Sequence, residues 1–386
     1  MKKIIFSLCL LAFSVSLFAQ VSTWPANSKV RKKQHNLDSV YVDKGVLTSL
    51  GNLKNSQVGV FNVLDYGADN TGLGDATTAI NNACDAAYTA GGTVIGRGTF
   101  KISNTIFIRS NADFAGAHFN LNDSTKTAIA YVDSAAALTN KVVIFPEVHE
   151  TATHVEGHWI GASIGVKIVN GNYCRFYVPY VNGFRTGILF TTYGPHGNSY
   201  NEINLGLIMD NKISINLSPS TSAGWVNENT WYSGKVTLFG ANDGATGTRG
   251  ILIDSTFNWT NNNVFIRTSL ESDFQYNIEC FGSYNSFFFC RFEGGTPAVH
   301  WGQLHDHSLY AANNIVYRGY AVTNITFTSD AYCRYNGFDT GWNMFYSGYY
   351  SYGGVNNSSD SYMEDAKEFI QGVFHDEEKI AKFVDK

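Results

Sequence analysis

Residues 263–293 read NVFIRTSLESDFQYNIECFGSYNSFFFCRFE, and this stretch decides the fold because it contains one pattern twice. NVFIRTSLE at 263–271 and NSFFFCRFE at 285–293 each begin with Asn, continue mainly with apolar residues and end in Glu. Between them, NIEC at 277–280 is a second kind of short β-type segment. Short strands that recur in a fixed order predict the coils of a β-solenoid, in which each coil buries its inner face against the next.

Both patterns continue through the chain from about residue 155. The small-aliphatic-x-apolar pattern occurs as GVKI at 165, GILF at 187, SINL at 214, GILI at 250, NIEC at 277, AVHW at 298 and NITF at 324, and the other pattern begins at Asn172, Asn201, Asn229, Asn263, Asn285 and Asn314. We expect these Asn residues at tight turns and stacked one above another, because Asn tolerates unusual backbone angles and its side chains can form hydrogen-bonded piles. Since consecutive parallel strands connect in the right-handed sense, the expected fold is all-β, a right-handed parallel β-helix.

The apolar residues of both patterns form the expected core. Ile188, Ile251, Phe265, Ile278 and Phe287 should point inward, because side chains alternate between the two faces of a strand. Five cysteines follow the first nineteen residues, and their odd number and wide scatter favour buried thiols over a disulfide framework. A single Cys280–Cys290 bridge remains the alternative.

Helices are expected at the two ends of the β-helix. At 61–103 the sequence predicts a strand, a loop, a capping helix that begins after Asp75 and ends at Gly91, and two further strands. This helix is indicated by the helical spacing of Ala79, Ile80, Ala83, Cys84, Ala87 and Tyr88. In residues 360–386, apolar residues again recur at helical spacing. They predict an amphipathic helix that closes the last coil or binds a partner. We therefore expect one β-helix domain over residues 58–359.

The first nineteen residues have the features of an export signal. Two lysines precede an apolar run, Ile4 to Phe18, that is too short to span a bilayer, and Ala19 is a small residue before a cleavage site. Residues 20–57 are expected to form an irregular polar leader. The formal net charge is −5 and no basic stripe is present, which argues against nucleic-acid binding. We expect a secreted, periplasmic or cell-surface protein without a membrane span.

Residues 61–103 resemble the opening of proteins in the pectate-lyase superfamily. The similarity lies in Asp65-Tyr66-Gly67-Ala68, in Asp75, Thr77, Ala79 and Ile80, and in Gly91-Gly92-Thr93-Val94 and Gly98-Thr99-Phe100. The resemblance implies the pectin lyase-like β-helix of polysaccharide-degrading enzymes and tailspike-like proteins. Tailspike-like relatives often form trimers, but no trimer-specific segment is present. The motifs of the polygalacturonase branch (paired Asp, Gly-His-Gly, Arg-x-Lys) are not recognisable, and Ala76 and Gly96-Arg97 depart from the opening pattern.

The Glu residues that end the two repeated phrases form the candidate catalytic pair. Glu271 and Glu293 each follow their turn Asn by eight residues and are 22 residues, one coil, apart. Because stacked strands are about 4.8 Å apart, we expect the two carboxyls to repel each other and the pKa of one to rise. A protonated carboxyl beside an ionised one is the pair used in glycoside hydrolysis. The alternative is a structural ladder in which the two Glu residues bind turn amides or Arg291.

Further site residues are expected around this pair: Asp273 as a third catalytic candidate, and Arg291, Glu279, His300 and Trp301 as substrate-binding candidates. Glu279 and His300 occupy matching positions of successive strands, and Trp301 is expected to stack on a sugar ring. His300, together with the histidines at 305 and 307, matches no zinc-ligand spacing, so no metal site is predicted.

Three functions fit these features. The leading hypothesis is a glycoside hydrolase that cleaves an extracellular polysaccharide with a carboxylate acid/base pair. The second is a polysaccharide lyase that works by β-elimination, which would need a base and an Arg or Ca²⁺ to stabilise the developing charge. The third is a non-catalytic carbohydrate-binding or surface-attachment β-helix. Apart from Ca²⁺ in a lyase, no cofactor is expected, and the expected partner is a polysaccharide rather than nucleic acid or a membrane.

Overall fold

Parallel strands stacked in ladders form most of the described structure. The computed structural model describes residues 59–339 apart from 133–136, 152–158, 160, 241–244, 255–259, 295–297, 303–310, 312, 318–319, 322–326 and 330–335. Within these residues every strand pairing is parallel. The strands form four ladders, numbered here 1 to 4 in the order in which a coil passes through them.

The two longest ladders are joined by two strands that run through both. Ladder 1 contains β1 (Val60–Asn62), β3 (Thr93–Ile95), β6 (Asn111–Asp113), β10 (Val142–Ile144), the first halves of β14 (Arg175–Asn182) and β17 (Glu202–Met209), β20 (Thr230–Tyr232), β23 (Val264–Ile266), β26 (Ser286–Phe288), β29 (Ile315–Tyr317) and β32 (Gly337–Asp339). Ladder 2 contains β2 (Thr71–Asp75), β4 (Gly98–Ile102), β7 (Ala117–Leu121), β11 (Glu147–Glu150), the second halves of β14 and β17, β21 (Lys235–Thr237), β24 (Ser269–Glu271), β27 (Arg291–Glu293) and β30 (Tyr320–Ala321).

The other two ladders complete the coils. Ladder 3 contains β5 (Ile106–Ile108), β8 (Thr127–Tyr131), β12 (Ile164–Val169), β15 (Thr186–Thr191), β18 (Ile213–Leu217), β22 (Arg249–Ile253), β25 (Tyr276–Cys280), β28 (Val299–Trp301) and β31 (Phe327–Ser329). Ladder 4 contains β9 (Leu138–Thr139), β13 (Gly171–Asn172), β16 (Gly197–Ser199) and β19 (Trp225–Asn227). This stacking is the arrangement of a parallel β-helix.

The two sequence patterns correspond to two of these ladders. The small-aliphatic pattern forms ladder 3, where Ile188, Ile215, Ile251 and Ile278 are successive register partners. The last repeat is two residues out of phase, because the fourth residue of the NITF phrase, Phe327, rather than its second is the partner of Val299. The Asn pattern precedes the strands of ladder 1. Ladders 2 and 4 are not predicted by either pattern.

A continuous asparagine stack (Asn201, Asn229, Asn263, Asn285, Asn314 and Asn336) lies at the corner before ladder 1, and all of its members except Asn336 were predicted from the sequence. Each side-chain amide donates to the next side-chain oxygen, for example Nδ2 of Asn229 to Oδ1 of Asn263 at 3.0 Å and Nδ2 of Asn263 to Oδ1 of Asn285 at 3.1 Å. The stacked side chains are almost fully buried. They thus satisfy backbone groups that the corner would otherwise bury without partners.

Two expectations about these asparagines are wrong in detail. Asn172 is not in the stack, because Cys174 occupies the equivalent position and its backbone N–H donates to Oδ1 of Asn201 at 2.9 Å. Asn172 lies in ladder 4 and accepts a hydrogen bond from Ser199 Oγ at 2.8 Å. The left-handed backbone angles also occur one residue earlier than expected, at the residue before each position of the stack. The angle φ lies between 53° and 60° at Tyr173, Tyr200, Glu228, Asn262, Tyr284 and Asn313.

The interior is filled by apolar side chains from the inward positions of the ladders. All five predicted core residues, Ile188, Ile251, Phe265, Ile278 and Phe287, are fully buried. Aromatic rings continue from coil to coil, with Phe265 between Trp231 at 5.3 Å and Phe287 at 5.1 Å, both nearly parallel to it. Burial of these large rings is the main stabilising contribution that stacking makes to each coil.

The described cysteines are buried and unbridged. None of Cys84, Cys174, Cys280 and Cys290 forms a disulfide, so the Cys280–Cys290 bridge is absent and the prediction of buried thiols is confirmed for these four. Burial raises the pKa of Cys290 to about 12, which makes its thiol inert.

A helix, α1 (Thr77–Ala90), lies where the sequence predicted one and packs against β1, β3 and β5. Asp75 Oδ1 accepts from the backbone N–H of Thr77 at 3.1 Å, and Gly91 ends the helix in a left-handed conformation. Tyr88, expected on the buried face, is 40% exposed. The predicted C-terminal helix, the leader and the export signal lie outside the described residues. Among the described helices, none has the length and apolar character to cross a membrane.

Candidate functional site

The outer face of ladder 2 carries the predicted catalytic pair. Val236, Leu270 and Phe292 are buried in the core, so the residues on either side of each point outward. Two outward columns result, one with Lys235, Ser269 and Arg291 and the other with Thr237, Glu271 and Glu293. Glu271 and Glu293 are direct register partners, as the one-coil spacing predicted.

Two cations hold the two glutamates in one ion-pair network. Arg291 bridges them, with Nη1 donating to Oε1 of Glu271 at 2.6 Å and Nη2 donating to Oε2 of Glu293 at 2.5 Å. Glu271 also binds Nζ of Lys235 through Oε2 and accepts from Ser269 Oγ at 2.8 Å. The side chain of Glu271 is 15% exposed, whereas that of Glu293 is 40% exposed. The two carboxylates thus have unequal surroundings.

The predicted rise in pKa is not found at Glu271. Burial raises the pKa of this carboxyl, but the hydrogen bonds from Lys235 and Ser269 and the charges of Lys235 and Arg291 outweigh it. The pKa of Glu271 therefore lies below its usual value. The prediction from the sequence took account only of the repulsion between two carboxylates. The cations in the neighbouring column reverse the direction of the pKa shift.

Asp273 lies near the pair but outside the ion-pair network described above. It is exposed in the turn that follows β24, and a β-carbon on Gly294, one coil further, would collide with its Oδ1. Gly294 has a left-handed φ of 77°. The backbone at position 294 can therefore approach Asp273 this closely because the residue there is glycine.

Glu279 and His300 lie on ladder 3 in a second cluster. They are register partners as predicted. Glu279 pairs with Nε of Arg249, whose guanidinium also donates to Oε1 of Gln275 at 3.0 Å and lies 4.5 Å from the ring centroid of Tyr276. The ring of His300 stacks on the ring of Tyr276, with 5.0 Å between the ring centroids. Glu279 and Arg249 are thus bonded to each other, whereas His300 contacts the cluster through the Tyr276 ring.

Trp301 is not available to stack on a sugar, and this prediction is wrong. Its side chain points inward beside Val299, which is fully buried, and the residue is 3% exposed. The ring lies 6.4 Å from that of Phe287 in the core. Because alternate residues of β28 face opposite sides, His300 takes the outward position and Trp301 the inward one.

A third cluster, which the sequence did not indicate, lies on ladder 2 nearer the N-terminal coils. His118 and Glu147 are register partners, and His149 follows Glu147 on the same face. Nδ1 of His118 is 3.0 Å and Nε2 of His149 is 3.9 Å from Oε2 of Glu147. The ring of Tyr180, on the next coil, lies 4.8 Å from that of His149. Burial lowers the pKa of His149, although the charge of Glu147 opposes this shift.

A sequence model of the family described as rhamnogalacturonase A/epimerase, pectate lyase-like, matches residues 60–279, which is more than half of the chain. The chain belongs to this family. The resemblance predicted from residues 61–103 is thereby confirmed, and with it a place among pectate lyase-like β-helices. No curated protein matches the chain.

Solved structures that are similar to this family member have little sequence in common with it. The Dettilon tailspike protein is 15% identical, with a TM-score of 0.55 over 81% of this chain and 67% of its own. ORF18 of Geobacillus virus E2 is 16% identical, with a TM-score of 0.45 over 82% of this chain, which spans only 62% of that protein. The family 28 exopolygalacturonase of Yersinia enterocolitica is 13% identical, with a TM-score of 0.31 over 77% and 78% of the two chains. The tailspike similarity supports the shared fold.

The residues that sequence reasoning missed belong to ladder 2. Lys235 and Ser269, which help to lower the pKa of Glu271, occupy the outward column next to the predicted pair. His118 and the Glu147-x-His149 alternation are 29 residues apart, a step comparable to one coil. That alternation of two polar residues around an apolar one was the available signal, but it lies before the region in which the repeats are recognisable.

Proposed function

We propose that this family member is a secreted glycoside hydrolase that cleaves a polysaccharide lying along the outer face of ladder 2. The observation that carries the proposal is the register pairing of two outward carboxylates, Glu271 and Glu293, in unequal surroundings. Residues 1–19 would direct the export that an extracellular polymer requires.

The unequal surroundings support two different roles for the carboxylates. Glu271 is kept ionised by Lys235, Ser269 and Arg291, which suits the group that attacks the anomeric carbon. Glu293 is more exposed than Glu271, so it would take up a proton from solvent, release Arg291 and then protonate the departing glycosidic oxygen. Water would then hydrolyse the glycosyl-enzyme, with Glu293 taking the proton from that water. Environment thus assigns the roles, as in other carboxylate pairs.

We infer the stereochemical outcome from the spacing of the strands. The backbones of register partners on adjacent coils are about 4.8 Å apart, so side chains extended in parallel would carry their carboxyls at a separation close to the roughly 5–5.5 Å of retaining enzymes and shorter than that of inverting ones. We therefore expect retention of the anomeric configuration. The family description makes rhamnogalacturonan the first polymer to test, followed by polygalacturonate and other cell-wall and capsular polysaccharides.

A second candidate, carbohydrate binding without cleavage, is favoured by two observations. The ion pairs of Lys235 and Arg291 would also suit a structural ladder in which Glu271 and Glu293 only join coils. Exposed aromatic rings could bind sugars without catalysis, because Tyr173 and Tyr200 stack at 4.9 Å and remain about half exposed. A lyase, with Ca²⁺ or Arg at the uronate carboxylate, would be recognised by its unsaturated products.

The test compares E271Q and E293Q with a matched control, E202Q, on the polymer that wild-type protein cleaves. Glu202 is an exposed glutamate that pairs with Arg175 at 2.9 Å on ladder 1. We expect new reducing ends without ultraviolet-absorbing unsaturated ends from the wild type and from E202Q. Both site variants should keep their melting temperature within a few degrees and lose at least about a hundredfold in turnover.

Other results would contradict the proposal in distinct ways. Unsaturated ends would indicate a lyase, and tight binding to every polymer in the panel without cleavage would indicate a binding protein. Earlier melting of E271Q and E293Q with unchanged turnover per folded molecule would assign the pair to a structural ladder.

A further inference from the structure

We propose that His118, Glu147 and His149 form a binding site for one divalent transition-metal ion, with Zn²⁺ as the best match. Their three donor atoms all lie within 4.8 Å of one another. Two imidazoles and one carboxylate are the donor set of zinc sites that keep a fourth position open. The site is separate from the proposed catalytic pair, and its existence does not depend on that function.

The strands hold these three donors on one face. His118 and Glu147 are register partners on β7 and β11, so stacking of the coils places them side by side. Val148 is fully buried, which directs Glu147 and His149 outward together. Two of the donors therefore come from one strand and the third from its neighbour, and backbone hydrogen bonds fix all three main chains. Such rigid support favours a defined geometry.

The distances fit an ion after a small adjustment. Zn–N and Zn–O bonds of about 2.0–2.1 Å in a tetrahedron place the ligand atoms about 3.3 Å from each other. Nδ1 of His118 is 3.0 Å and Nε2 of His149 is 3.9 Å from Oε2 of Glu147. Side-chain rotations that move these atoms by about 1 Å would suffice.

The neighbouring coil supplies suitable surroundings. Asn182 is the register partner of His149, and its buried Oδ1 has no hydrogen-bond donor among the described residues. An acceptor next to a ligating imidazole can orient the ring through its second N–H. The Tyr180 ring covers His149 from the same coil. The three donors remain partly exposed, so an oxygen of water or of a sugar could occupy the fourth position.

The position of the site indicates what the ion would contact. β11 and β24 are four coils apart along ladder 2, which is about 19 Å at the usual strand spacing. An ion there would be too far from Glu271 to share its chemistry, but it would lie under the same polysaccharide chain. A hydroxyl or carboxylate oxygen of a sugar is the ligand expected at its open position.

The experiment is isothermal titration of ZnCl₂ into the full chain after treatment with a chelator, with CaCl₂ as a second probe. Wild-type protein should bind one equivalent of Zn²⁺ and should prefer it to Ca²⁺, because Ca²⁺ favours all-oxygen sites. H118A and E147Q should bind Zn²⁺ at least about tenfold more weakly. The control H300A changes a partly buried histidine on ladder 3, one of the three histidines at 300–307, and it should bind as the wild type does.

Folding is checked on the same preparations. Far-ultraviolet circular dichroism and the melting temperature without metal should be the same for E147Q and wild type, since Gln keeps the size of Glu, and Zn²⁺ should raise the melting temperatures of the wild type and H300A more than that of E147Q. Failure of the wild type to bind Zn²⁺ would overturn the proposal. Equal affinity in wild type, H118A and E147Q, or loss of binding in H300A alone, would also overturn it, because the ion would then be held elsewhere.

Discussion

Replacement of Asn263 by Ala tests whether the asparagine stack holds the coils together. The Asn263 side chain makes five hydrogen bonds: Nδ2 donates to the backbone oxygens of Val226 and Asn261 and to Oδ1 of Asn285, and Oδ1 accepts from N and Nδ2 of Asn229. The residue is fully buried, so water cannot replace these partners.

The expected magnitude follows from the groups that N263A leaves unpaired. The carbonyl of Val226 and the backbone N–H of Asn229 would lose the hydrogen bonds they make with Asn263, at 3.1 Å and 3.3 Å. Each buried group without a partner costs about 1–3 kcal/mol, so the free energy of unfolding should fall by about 2–6 kcal/mol. Nδ2 of Asn229 still donates to the carbonyl of Asn198 at 2.9 Å and is not counted.

Equilibrium denaturation in urea, followed by tryptophan fluorescence, measures this change. N172A is the matched control, because Asn172 is also a coil asparagine but is only half-buried and lies outside the stack. Its partners can be hydrated, and we expect a loss of about 1 kcal/mol or less. If N263A loses no more stability than N172A, the stack does not stabilise the coils in the way argued from its hydrogen bonds.

Two further predictions concern the core and the ion-pair network. Phe265→Ala removes a fully buried ring from between Trp231 and Phe287 and should lower the free energy of unfolding by about 3–5 kcal/mol in urea, whereas a loss below about 1 kcal/mol would contradict its core position. Because the folded state lowers the pKa of Glu271, its ionised form contributes stability above the unfolded pKa and loses it as the pH falls through the folded value. Melting temperatures of wild type and E271Q should therefore differ most near neutral pH, by no more than a few degrees, and converge in acid, and a difference that does not vary with pH would mean that Glu271 contributes no charge-dependent stability.

The inward half of the molecule could be predicted from the sequence. Positions such as Ile188, Ile251 and Ile278 must be apolar because each coil buries them against its neighbours, so the pattern survives in the sequence even though the coils differ in length. The same burial explains the Asn repeat, since a buried corner backbone needs a side chain that both donates and accepts. Asn172 was assigned wrongly because Cys174 takes that position, and a thiol carries no comparable signal.

The outward half was decided by the tertiary structure. The spacing of the Glu271 and Glu293 phrases did not indicate that Lys235 would lie beside Glu271. The coil that connects Lys235 to Glu271 is longer than the next one, so only the pairing of the strands sets their register. The sign of the pKa shift at Glu271 depends on that neighbour. His118 and Glu147 likewise meet only through the pairing of β7 with β11. Burial restricts which residues can occupy an inward position, whereas outward contacts between coils depend on three-dimensional register, so the sequence alone determined the core and the structure determined the surface chemistry.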